Sequence, residues 1–182
     1  MKNSAKVFPA VALKMLMGVG IAVLLCGGAN AQTGNAPGPA NAQGLVTQRN
    51  VSLAMAKTIA EATLAACQAK GYHTAVAVVD RAGQVMVILR DEQATAQHVE
   101  MARRKAYTAR MFRITTTEFQ KRTADPAYAA QRNLPDVLAL GGGVPVQVGN
   151  ETIGGVGSAG STQEQDDACA KAGVGKVAEL LR

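Results

Sequence analysis

Apolar and polar positions divide the chain into helical and extended segments. Between Thr47 and Lys70, Val51, Met55, Ile59, Ala62 and Ala66 recur at three- and four-residue spacing, the period of a helix with one buried face. Gly71 follows as a stop signal. Two runs then become almost continuously apolar, Thr74–Asp80 and Gln84–Arg90, which predicts strands covered on both faces. The intervening Asp80-Arg81-Ala82-Gly83 is a short turn with a glycine free to take positive φ, so the runs predict a hairpin. Residues 95–112 return to helical spacing. Thr115-Thr116-Thr117-Glu118 carries the T-x-x-E capping pattern of a shorter helix reaching about Thr123.

Residues 125–135 hold Pro126 and Pro135 and predict a loop. Three more extended runs follow, 137–140, 144–148 and 152–158, separated by Gly141–Gly143 and by the hairpin-type turn Gly149-Asn150. Ser161-Thr162-Gln163-Glu164 repeats the capping pattern and opens a last helix to Leu181. The predicted order is α-β-β-α-α-β-β-β-α. Short hairpin links imply antiparallel pairing, so the fold class is α+β in a single domain over residues 47–182.

The N-terminus changes the picture. Lys2, Lys6 and Lys14 stand without acidic neighbours, Met15–Cys26 is apolar and uncharged, and Ala29-Asn30-Ala31 matches a cleavage signal. Residues 1–31 therefore read as a signal peptide cleaved after Ala31, which predicts a periplasmic or secreted protein beginning at Gln32. The apolar run is shorter than the roughly 18 residues a membrane span needs, so no span is expected after cleavage. Residues 32–46 are polar and small, with two prolines, and read as a flexible tether.

Removing the leader lowers the net charge from +6 to +3, because it takes three of the 19 basic side chains and none of the 13 acidic ones. No basic run alternates with aromatic residues, which argues against nucleic acid as a partner. Arg103-Arg104-Lys105 reads as a solvated helix face. Cys67 and Cys169 remain, both on predicted helices at opposite ends of the domain. They form a disulfide if those helices pack together and are two buried thiols otherwise; their positions leave both readings open.

Candidate chemistry concentrates on helix 95–112. His98, Met101, Lys105, Thr108 and Phe112 fall along one face. Imidazole and thioether are haem-iron ligands, and an ammonium suits a propionate. Tyr107 adds a phenol, another iron-ligand type. Gly155-Val156-Gly157-Ser158-Ala159-Gly160 has the G-x-G-x-x-G form, but no strand follows its helix, so it reads as a strand-to-helix turn whose glycines permit close packing. No histidine and cysteine spacing suits zinc, and no acid–base pair is evident.

Four blocks then carry a family resemblance: Ala77-Val78-Val79-Asp80-Arg81-Ala82-Gly83, Arg104-Lys105-Ala106-Tyr107-Thr108-Ala109, Gly142-Gly143-Val144-Pro145-Val146, and Ile153 through Gly160 followed by Asp166, Ala170 and Gly173. With these the chain resembles the GlcG/HbpS family of haem-binding proteins, also found as the C-terminal part of PduO-type proteins. The resemblance implies a profilin-like, five-stranded antiparallel sheet flanked by helices, and homo-oligomers built from dimers and reaching octamers. It places both terminal helices on one face of the sheet, which favours a Cys67–Cys169 bridge. It also implies haem held near Lys105-Ala106-Tyr107-Thr108-Ala109, with Thr108 at the iron. His98 is the second metal candidate, from helix geometry. The segment Asp91–Thr95 is more acidic than the family pattern and lacks its glycine. The resulting expectation is an exported oligomer that binds haem or a related tetrapyrrole, without catalysis. The alternatives are an enzyme or accessory protein of haem breakdown or of small hydroxy-acid (glycolate-type) metabolism.

Overall fold

The computed structural model describes residues 44–182. Val46–Arg182 forms one compact unit. The predicted leader over 1–31 and most of the predicted tether lie outside the described residues.

Within Val46–Arg182 the first helix, α1, spans Leu53–Gln68, later than the start expected near Thr47. Ser52 caps it by accepting from the Met55 N–H. The residues before it are held extended by other bonds: Arg49 pairs with Glu151, and Asn50 Oδ1 accepts from the Arg81 N–H. Next come β1 (Ala75–Val79) and β2 (Val85–Arg90), joined by the predicted turn. Asp80 Oδ1 accepts from the N–H groups of Ala82 and Gln84, and Gly83 takes φ 82°. Helix α2 (Ala96–Phe112), short α3 (Thr116–Arg122), β3 (Gly143–Val148), β4 (Glu151–Ala159) and α4 (Gln163–Gly175) complete the order.

The sheet is antiparallel, ordered β2-β1-β4-β3. It has four strands, which corrects the expectation of five. Residues 137–140 do not pair as a strand, because their backbone groups bond side chains of α2. Arg104 donates to the Val137 carbonyl at 2.6 Å, and the Leu138 N–H donates to Thr108 Oγ1 at 2.9 Å. Strand alternation sorts the apolar residues into two layers. Val76, Val78, Val146 and Val156 form a core with Ile59 and Ala60 of α1 and Ala170 of α4. Ala75, Ala77, Val79 and Ala159 pack on Ala102 and Ala106 of α2 from the other face. Each fully buried valine contributes on the order of 1.5–3 kcal/mol. The edge strand β2 is less covered than its composition predicts, with Val85 and Ile88 exposed.

The last helix ends at Gly175, short of Leu181, and a 3-10 turn, Ala178–Leu181, follows. Gly173 and Gly175 weaken helical continuity there. Its cap is Thr162 and not the predicted Ser161 box, since the Ser161 hydroxyl donates to Asp166 Oδ1 at 2.7 Å. α1 and α4 pack together and are joined by a Cys67–Cys169 disulfide, with Cα atoms 5.5 Å apart. No helix among the described residues is long and apolar enough to cross a membrane.

Candidate functional site

Helix α2 is the element on which the candidate chemistry sits, and two glycines of β4 set its position. A Cβ on Gly157 would stand 2.1 Å from the Ala102 carbonyl oxygen, and one on Gly155 would stand 2.5 Å from that of Ala106. The helix backbone therefore lies directly on the strand. The G-x-G segment is a packing groove inside β4; only Gly160, at φ 140°, belongs to the turn. Nothing in this arrangement cradles a phosphate.

The one-sided stripe predicted on α2 exists, but its middle faces the sheet. Lys105 is buried, with its side chain 1% exposed, and Nζ donates to Asp166 Oδ2 at 2.8 Å and to the Ser158 carbonyl at 2.9 Å. Burial pushes its ammonium below the ordinary value of 10.5, against the opposing pull of Asp166. Thr108 is fully buried, and its hydroxyl donates to the Arg104 carbonyl while accepting from Leu138. Arg103 pairs with Glu100 and Asp136, and Arg104 reaches Val137. Arg103-Arg104-Lys105 is thus a set of internal ties and not a solvated face.

His98 lies half-buried at the start of α2 and completes a capping box: its N–H donates to Thr95 Oγ1, and its Nδ1 accepts from the Thr95 N–H. That bond requires an unprotonated Nδ1, so the neutral ring carries its proton on Nε2. Binding a metal through Nε2 would move the proton to Nδ1 and give up the bond from the Thr95 N–H. Met101 is half-buried against the alanine layer under α2. Phe112 stacks near Phe119, with ring centroids 4.3 Å apart.

Tyr107 is placed differently. It is half-buried and lines a recess of about 390 Å³ with Met111, Phe112, Leu134, Pro135 and Val137. Five apolar walls and one phenol suit an apolar ligand with a single polar anchor, and the volume lies in the range of small-molecule sites. His98 and Tyr107 are nine positions apart on α2, which turns them about 180° around the axis, so they do not share a face. The structure therefore brings Lys105 and Thr108 together inside the fold and separates Tyr107 and His98 from them. The walls Met111, Leu134, Pro135 and Val137 were not expected from the sequence. Leu134, Pro135 and Val137 fall in a segment read as loop and strand, where only the apolar residues around Pro135 gave a signal.

His73 pairs through Nδ1 with Asp91 at 2.9 Å. Asp91 also accepts from Gln68 and Gln93, and these bonds hold its carboxyl below its ordinary 3.8. Among the described residues no three histidine, cysteine, aspartate or glutamate side chains form a metal-binding group.

Comparison with known proteins adds the following. The family model described as "Haem degrading protein HbpS-like" matches residues 51–175. An uncharacterised 15.0 kDa protein of the dhaT-dhaS intergenic region of Citrobacter freundii is 32% identical over 133 residues, covering 71% of this chain and 94% of that protein. The crystal structure of a double mutant of Streptomyces reticuli HbpS superposes with a TM-score of 0.70 at 35% identity, covering 77% of this chain and 97% of that one. The crystal structure of a PduOC:heme complex gives a TM-score of 0.63 at 25% identity, covering 69% and 94%.

Proposed function

This chain belongs to the HbpS-like family, and from that premise we propose that it is an exported, oligomeric binding protein for haem or a related tetrapyrrole. The observation that carries the reading is the recess at Tyr107, where one phenol stands among five apolar walls. A tetrapyrrole needs a flat apolar berth and an iron ligand, and a tyrosine phenolate is an established haem-iron ligand. The haem complex of a structural relative supports the same ligand class. Tyr107 is the proposed iron-side residue, and His98 the alternative at the helix start. Thr108 and Lys105 hold the frame: the Thr108 hydroxyl ties the backbone at Leu138, next to Val137 of the recess wall. Met101 packs under the same helix.

Export is supported by the leader pattern and by the Cys67–Cys169 bridge, which suits an oxidising compartment. Oligomerisation is supported by the apolar side chains left uncovered on β2. N-terminal sequencing of exported material is expected to begin at Gln32, and light scattering to give a mass above one chain.

The test of ligand binding is a haemin titration followed by Soret absorbance, with Tyr107→Phe, His98→Ala and Thr108→Ala in parallel. A saturable shift altered in Tyr107→Phe is the expected result. No shift beyond that of an unrelated control protein would remove the haem reading. The family's haem-degrading description supports a second reading, turnover of bound haem, which would appear as loss of the Soret band on adding reductant.

A further inference from the structure

The turn that carries Gly83 also carries Arg81, and the two residues serve different neighbours. A Cβ on Gly83 would stand 2.9 Å from the Tyr107 ring. Arg81 instead lines a separate recess of about 170 Å³ with Arg110, Arg113, Asn150, Glu151 and Thr152. Three guanidiniums meet there around one carboxylate.

That carboxylate is already engaged. Glu151 pairs with Arg49 at 2.7 Å and with Arg81. The nearby Asp80 uses Oδ1 to accept from two N–H groups of its own turn. Neither Arg110 nor Arg113 forms an ion pair among the described residues. The Arg110 Nε is buried without a hydrogen-bond partner. Its guanidinium is destabilised by burial and then by the like charges of Arg81 and Arg113. Helix α2 ends at Arg113 in the left-handed conformation, φ 61°, a position ordinarily given to glycine or asparagine. A buried donor without an acceptor, crowded by like charges, is the condition an anion relieves.

We propose that this recess binds a small carboxylate, held by the guanidiniums of Arg110 and Arg113 with Arg81 and Asn150 at its border. Planar guanidiniums match a carboxylate with paired hydrogen bonds. The Glu151 carboxylate disfavours a doubly charged phosphate, and the volume admits only a few heavy atoms. The carboxylate is either a free short-chain acid or a side group of a larger ligand seated nearby. The site itself does not rest on the haem reading.

The test is calorimetric titration of the purified protein with propionate and with inorganic phosphate at low ionic strength, for wild type, Arg110→Met and Arg113→Asn. Arg113 is exposed, and asparagine suits its backbone conformation, so the second variant preserves the fold. Propionate is expected to bind wild type and to weaken about tenfold or more in both variants. Unchanged propionate binding in both variants, no propionate binding, or a preference for phosphate would overturn the site. A second arm compares haemin with its dimethyl ester. An advantage for haemin that disappears in the variants identifies the carboxylate as a ligand side group; equal binding of acid and ester, with arginine-dependent propionate binding, identifies a free acid. Haemin binding with no arginine dependence in either arm removes this site and leaves the haem reading intact. Arginine-dependent propionate binding without haemin binding does the reverse.

Discussion

Replacing Lys105 with methionine tests whether its ammonium serves the fold or a ligand. Methionine matches the length of the stem and removes the ammonium with its two hydrogen bonds. Lys105 and Asp166 are 1% and 2% exposed, so the change leaves a buried carboxylate without its cation. Removing one member of a buried pair costs about 3–5 kcal/mol. Asp166 keeps two donors from Ser161, the N–H at 3.2 Å and the hydroxyl at 2.7 Å, which holds its share near the lower end. The Ser158 carbonyl also loses its Nζ donor, adding about 1 kcal/mol. The expected loss is about 4 kcal/mol, or a fall in Tm of roughly 10–20 °C. Urea denaturation with a matched thermal melt measures it. In Lys105→Met/Asp166→Asn no buried charge remains, while the asparagine carbonyl still accepts from Ser161. That variant should recover on the order of 2 kcal/mol relative to Lys105→Met alone. A loss under about 1 kcal/mol in the single variant, or simple additivity in the double one, would refute the reasoning. Haemin affinity unchanged in the double variant assigns Lys105 to the frame. Weakened affinity at restored stability assigns it to the ligand.

Three further outcomes follow from the same geometry. Gly157→Ala should destabilise by at least about 1–3 kcal/mol, since its Cβ would lie 2.1 Å from the Ala102 carbonyl oxygen and α2 would have to lift off the sheet; a denaturation midpoint equal to wild type would contradict it. Reducing the Cys67–Cys169 bridge, which closes a separation of 102 residues, should cost about 2–5 kcal/mol, read from melts with and without reductant or in Cys67→Ser/Cys169→Ser. Asp91 has a lowered pKa in the fold, so its contribution is present above the ordinary carboxylate value of 3.8 and is lost as pH falls through the lowered value. The stability gap between wild type and Asp91→Asn should therefore narrow on acidification below about pH 4, and a gap independent of pH would exclude this role.

Much of the fold was legible because local chemistry and tertiary structure agree. The Asp80–Gly83 turn carries its own acceptor and its own positive-φ glycine, so its hairpin could be read directly. The cap at Thr115 was legible for the same reason. The errors lie where side chains from distant segments compete for backbone groups. Residues 137–140 look like a strand until Arg104 and Thr108 bond them from α2. Residues 47–52 look helical until Arg49 and Asn50 bind Glu151 and Arg81. The candidate site was legible as an element and not as a surface. The periodicity marks α2 and its polar residues, but it cannot say that Lys105 lies against Gly157 and Thr108 ties Leu138 while Tyr107 faces a recess.

The α+β class, the two hairpins, the family and the helix that carries the candidate chemistry could all be read from the order of residues. The class, the hairpins and the helix depend on periods of two and 3.6, on turn residues and on caps, all of which act within a few positions, and the family rests on the four residue blocks that carry the resemblance. The four-strand limit of the sheet, the burial of Lys105 against Asp166, the joining of Cys67 to Cys169, and the meeting of Arg81, Arg110 and Arg113 emerge from the packed fold. Each of these depends on where a helix comes to rest on a sheet. Here that depends on the missing side chains of Gly155 and Gly157, which let α2 approach closely enough to bury one set of its polar residues and leave the other open.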